Sequence, residues 1–128
     1  MRITEKEIEN VLKLDPFERY KYLIKRVADT QVMYALKLGS EWAIADIDEN
    51  KVFSIWSARE FALLNATGVW ETYDAVEINL DFFEKAIMPL LESNGFLLNV
   101  FSINNRSGFV VELDEFIRDL NDELRNYE

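Results

Sequence analysis

Two hydrophobic periods alternate along this chain. Apolar residues spaced by three and four predict helices near 4–14, 15–29, 57–65, 79–94 and 113–127, and a spacing of two marks the strands between them. Thr4 with Glu7 forms a capping box, and Ile8, Val11 and Leu12 give a short stripe, so the first helix is short and the element most prone to fray or to attach loosely. Asp15 caps the second helix, Pro16 takes the first helical position, where its missing N–H costs nothing, and Glu18 completes another box. Phe17, Tyr20, Leu23, Ile24 and Val27 are expected inward, with Arg19, Lys21, Lys25 and Arg26 on the wet face.

From Gln31 the period becomes two. Val32 to Leu38, a Gly39-Ser40 turn and Trp42 to Asp48 read as a hairpin, and a turn near Glu49-Asn50 leads to Val52–Trp56, giving a three-stranded antiparallel meander. Ala43, Ala45 and Ile47 share one face of the second strand, where a helix is expected to pack closely. Ser57 and Glu60 have the spacing of a third capping box, and Trp56 and Phe61 that of a hydrophobic staple closing over the helix start. That helix is expected to end near Asn65, with Gly68 as the left-handed residue beyond it.

Residues 69–78 show no clean period and read as an extended crossing segment pinned by Trp70 and Tyr73. Asn79 caps the fourth helix, Ile78 and Phe83 form a staple, and Pro89 predicts a kink. Asn94-Gly95 ends it, Phe96 to Ile103 and Phe109 to Val111 form a second hairpin around an NNRSG loop, and the last helix turns Phe116, Ile117, Leu120, Leu124 and Tyr127 inward. The sum is a single α+β domain over 1–128: a mainly antiparallel sheet of about five strands, joined by the second hairpin and packed by four to five helices.

Composition narrows the chemistry. The 128 residues include no cysteine and no histidine, which removes Ser-His-Asp and Cys-His nucleophile systems, disulfides and the usual zinc sites. The sequence shows no signal-peptide core and no apolar run long enough to span a bilayer, so a cytoplasmic location without membrane contact is expected. Net charge is −10, and it is uneven: residues 1–38 hold 8 basic and 6 acidic side chains, leaving 6 and 18, a net of −12, for residues 39–128. Such a body repels nucleic-acid phosphate and steers basic proteins toward itself.

Candidate sites follow from that charge. Glu71, Asp74, Glu77, Asp81 and Glu84 fall in a stretch without Lys or Arg that also holds Trp70 and Tyr73. Aromatic anchors among carboxylates suit a basic protein partner. Asp46, Asp48 and Glu49 add carboxylates at a turn. Asp46, Asp48 and Asn50 repeat the first ligand spacing of an EF-hand loop, but Lys51 stands where glycine is needed and Ser57 where the bidentate Glu belongs, so a solvated turn is the better reading and no metal is expected. With 24 carboxylates some pair always has glycosidase spacing, and none is singled out.

Asp15 to Glu128 resemble a small bacterial family described only as a domain of unknown function, number 2750. The likeness rests on Tyr22 to Val27 and the Trp42 strand, on IWSAREFALLNATGVW with Trp56, Ala62, Gly68 and Trp70, on LDFFEKAIMPLLESNG, and on FVVELDEFIRDLNDEL. These positions are mostly aromatic, small or capping, so the resemblance implies a shared fold and carries over no catalytic residue. Small acidic α+β domains also occur as immunity proteins, an analogy at the level of fold. The expectation is a non-catalytic, cofactor-free protein-binding domain for a basic partner, using Trp70, Glu71, Tyr73, Asp74, Glu77, Asp46, Asp48 and Glu49. The alternatives are a small-ligand or carboxylate-based enzymatic domain, and a homodimer that consumes the aromatics.

Overall fold

Local capping chemistry sets the first two helices, α1 (Glu5–Leu12) and α2 (Pro16–Thr30). The Thr4 hydroxyl accepts from the Glu7 amide at 3.1 Å, and the Asp15 carboxylate accepts from the Glu18 amide at 2.8 Å. The computed structural model describes residues 3–103, 106 and 108–127. After α2 come β1 (Val32–Leu38), β2 (Glu41–Trp42), β3 (Ile44–Ile47), β4 (Asn50–Ile55), α3 (Arg59–Leu63) and a 3-10 turn at Gly68–Trp70. Next are β5 (Asp74–Asn79), helix α4 over 80–94, β6 (Leu97–Val100), β7 (Phe109–Val111), α5 (Leu113–Leu124) and a 3-10 turn at Arg125–Tyr127.

The class is α+β and most pairings are antiparallel, but the strands form two sheets, ordered β2-β1-β5 and β3-β4-β6-β7, in place of one sheet of about five. The expected meander divides at Ala43. Its first half pairs Lys37 with Trp42 and Leu38 with Glu41, and its second half pairs Ile44 through Ile47 with β4. The segment 69–78 is no surface crossing: Asp74 to Asn79 pair along almost all of β1. Its missing period has a cause, since Ala75 and Ile78 are buried while Asp74 and Glu77 stay exposed at a sheet edge. The second hairpin joins β4, in parallel, because the chain leaves β4 and crosses through α3, β5 and α4 before returning as β6. The NNRSG loop lies largely outside the described residues.

The two sheets meet at one backbone bridge. Tyr34 and Trp56 exchange N–H···O bonds of 2.8 and 2.9 Å, so Trp56, just past the end of β4, is held in an isolated bridge and is fully buried. This displaces the predicted cap. Helix α3 begins after Ala58 with no side-chain cap, and the buried Ser57 hydroxyl has no hydrogen-bond partner among the described residues, lying beside the Tyr22 phenol outside bonding geometry. The Trp56 indole N–H instead donates to the Ser102 carbonyl at 2.8 Å.

Arg19, expected on the wet face, is 3% exposed. Its Nε donates to the Phe101 carbonyl at 3.0 Å and its Nη1 to the Leu14 carbonyl, tying the α1–α2 corner to the end of β6. Phe101 itself is left-handed at φ 66, a conformation that costs a non-glycine residue about 1–2 kcal/mol. Phe17 shows the converse, at 49% exposed, and Tyr127 points outward at 52%. Helix α4 follows its signals: the Asn79 side chain accepts from the Phe82 amide at 2.7 Å, and Gly95 ends it at φ 66. Pro89 does not break it. A π-helical turn at Phe83–Ile87 widens the backbone just before the proline, which absorbs the missing N–H.

Two outcomes are expected. A Cβ on Gly108 would meet the Val100 carbonyl oxygen at 2.1 Å, so Gly108→Ala should destabilise by about 1–3 kcal/mol in denaturant melts. Burial first, then carboxylate hydrogen bonds from Tyr20 to Asp119 at 2.6 Å and from Tyr22 to Glu7, push both phenols well above their ordinary range. The folded state thus favours the neutral phenols. Their contribution is intact below the ordinary phenol pKa of about 10 and is lost as pH climbs past it, a slope that Tyr20→Phe should reduce in melts between about pH 8 and 11.

Candidate functional site

Turn chemistry at two places builds a broad cleft. Asp48 adopts φ 56, which lets a two-residue Asp48-Glu49 loop, one position earlier than predicted, close β3 onto β4. Gly68 adopts φ 61 and, rather than ending α3, starts the Gly68–Trp70 turn that lifts Val69 and Trp70 opposite β3. Between them lies a cleft of about 740 Å³ lined by all four residues of β3, by Thr67 to Trp70, and by Asn65, Asn99, Ser102 and Arg106. Val69 is 88% exposed at its lip, the highest value among the large apolar side chains, while Trp70 is half-buried.

The polar groups of this cleft are held in place. The Asn65 amide donates to the Phe61 carbonyl at 2.9 Å. Asn99 donates to the Ser54 hydroxyl at 3.2 Å and accepts from the Gly108 amide at 3.0 Å. Asp46 takes an ion pair of 2.9 Å from Lys51, its cross-strand neighbour in register. Asp46, Asp48 and Asn50 therefore belong to an exposed β-hairpin, and among the described residues no three Asp or Glu side chains converge as metal ligands.

The eight predicted residues do not form one patch. Asp46 and Trp70 share the cleft, Asp48 and Glu49 form the adjoining hairpin tip, and Glu71, Tyr73 and Asp74 run from Trp70 into β5. Glu77 belongs elsewhere. It accepts from the Tyr34 hydroxyl at 2.9 Å beside a second cleft of about 500 Å³, where Arg26, Arg59 and Glu60 also converge. The Arg59 guanidinium lies 6.0 Å over the Tyr34 ring, and burial, then the Glu77 hydrogen bond, raises that phenol's pKa. Trp42 is half-buried under the Lys37 ammonium, 4.5 Å from its ring. Ala45, expected beneath a helix, faces the open cleft. Sequence reasoning missed Asn65, Asn99, Ser102 and Val69. A signal existed for one of them, since Asn99 interrupts the apolar run of β6 and a buried amide there needs built partners.

The family described as "Protein of unknown function (DUF2750)" matches residues 20–120, and the chain belongs to it. No curated protein matches the chain. Among the described residues, no helix is long and apolar enough to cross a membrane.

The cleft's rim should be free of structural duty. Val69→Asp should change unfolding free energy by no more than about 0.5 kcal/mol, and Lys51→Ala by less than about 1 kcal/mol, in chemical denaturation. A larger loss would make these side chains part of the fold.

Proposed function

We propose that this member of a family without assigned activity is a non-catalytic protein-binding domain, of adaptor or immunity type, that receives a basic partner at the cleft between β3 and residues 67–70. The observation that carries this is the placing of Val69, the most exposed large apolar side chain among the described residues, beside half-buried Trp70 at the mouth of the cleft of about 740 Å³. An exposed valine and a tryptophan edge offer an apolar anchor, and the surrounding carboxylates offer steering. Asp46 lies on the cleft's rim, ion-paired to Lys51, Asp48 and Glu49 follow at the hairpin tip, and Glu71 comes directly after Trp70 in the chain. The −12 charge of residues 39–128 extends that field well beyond contact distance at low salt.

A second reading, a small-ligand or carboxylate-based enzymatic domain, draws support from the other cleft. There guanidinium, phenol and carboxylate groups from Arg26, Arg59, Tyr34, Glu60 and Glu77 meet in about 500 Å³. Such a convergence suits a small molecule carrying both charges.

Capture from cell lysate at low and at high salt separates the two. A partner retained at low salt, released at high salt and lost with Val69→Asp supports the binding reading. Capture indifferent to both changes overturns it, and a melting temperature raised by a small metabolite in wild type but not in Arg59→Ala favours the second reading.

A further inference from the structure

We infer that the partner enters the cleft as an extended segment that adds a strand to the open edge of β3; this rests on the protein-binding reading above and names how that site is occupied. β3 ends its sheet, and all four of its residues line the cleft. Successive side chains of a strand point to opposite faces, so a cleft touching every residue in a row reaches past one face to the strand's edge, while Asn99 and Ser102, beyond β4, carry it over the sheet as well. By contrast, the cleft beside β5 meets that edge strand at Glu77 alone.

The hydrogen-bond parity agrees. Ile47 and Asn50 flank a two-residue loop and so form the bonded pair; bonding alternates from there, which turns the Ala45 amide and carbonyl toward β4 and those of Ile44 and Asp46 away from it. On the far side of β4 the same alternation is visible, since Ile55 accepts from the Phe101 amide while Trp56 faces β1. No described residue bonds the outward groups of Ile44 and Asp46. Two residues' worth of free donors and acceptors thus border a space wide enough for a peptide backbone, a template for strand addition. The opposite wall supplies Val69 and Trp70 for the incoming apolar side chains. Charge selects the rest: with Asp46 ion-paired to Lys51 and Arg106 in the lining, it is Asp48 and Glu49 at the end of the edge that favour Lys or Arg in the incoming segment.

The test uses a capped hexapeptide alternating lysine with valine, together with two twins N-methylated either at the lysines or at the valines. Binding is followed by tryptophan fluorescence and by the amide resonances of Ile44 and Asp46. Expected are shifts at both amides with the parent peptide, and binding about tenfold weaker for one twin, whose lost N–H groups faced β3. Ile44→Pro, at a position whose N–H does not serve the fold, should weaken the parent peptide likewise while circular dichroism stays unchanged. Equal binding by parent and both twins, with loss in Val69→Asp, overturns strand addition and leaves the protein-binding cleft standing. Absence of peptide binding overturns the inference too, whereas the protein-binding reading falls only with lysate capture. A dimer in light scattering that Ile44→Pro dissociates would also overturn it, by assigning the edge to a second copy of the chain.

Discussion

The rest of the structure depends on the reciprocal backbone bridge between Tyr34 and Trp56. It is the point at which β1 of one sheet touches the end of β4 of the other, and it fixes where the chain of residues 41–47 must change partners. Ala43 serves that change: its amide still donates to the Leu36 carbonyl at 3.0 Å, and the residues after it pair with β4. A small side chain is required where three strands crowd together, and Ala43 is buried there. The indole of Trp56 fills the space beneath the junction and satisfies its own N–H on Ser102, so the junction also positions the segment after β6.

That segment carries unusual cost and unusual support. Phe101 is fully buried in the left-handed region, and its carbonyl receives the guanidinium of Arg19 from α2, which packs against β6. Burial lowers the Arg19 pKa, with Arg106 adding to the effect, yet the group meets two backbone carbonyls that need a donor. A charge so placed is tolerable because it completes hydrogen bonds that water cannot reach. Asn99, two residues earlier in β6, does comparable work, spanning Ser54 and Gly108 and thereby holding β4, β6 and the approach to β7 in register.

The cleft is a by-product of this geometry. Because residues 41–47 turn from one sheet to the other, β3 is left at an edge with nothing paired outside it, and the left-handed Gly68 raises the facing wall. Edge strands are normally blunted, and this one is short, carries Asp46 and is recessed behind Val69 and Trp70, so access is restricted rather than abolished. Restricted access within a negative field is the physical basis of the proposed selectivity toward a basic, extended segment.

Local chemistry was legible in the sequence. The caps at Thr4, Asp15 and Asn79, the stop at Gly95, the amphipathic α2 and α5 and the α+β class follow from short-range patterns, and at these positions no tertiary contact among the described residues competes with them. So did the absence of imidazole and thiol, which is a matter of composition. The failures have the opposite character. Ser57 and Glu60 have capping spacing, but the Tyr34 bridge holds Trp56 and delays the helix start; Arg19 lies on the polar side of its stripe, but carbonyls from other segments draw it inward; and β5 has no period because its pairing with β1 outweighs its pattern. Which carboxylates share a cleft was equally decided by tertiary structure, since Asp46 meets Trp70, and Glu77 meets Tyr34, across gaps of two dozen residues or more that no periodicity encodes.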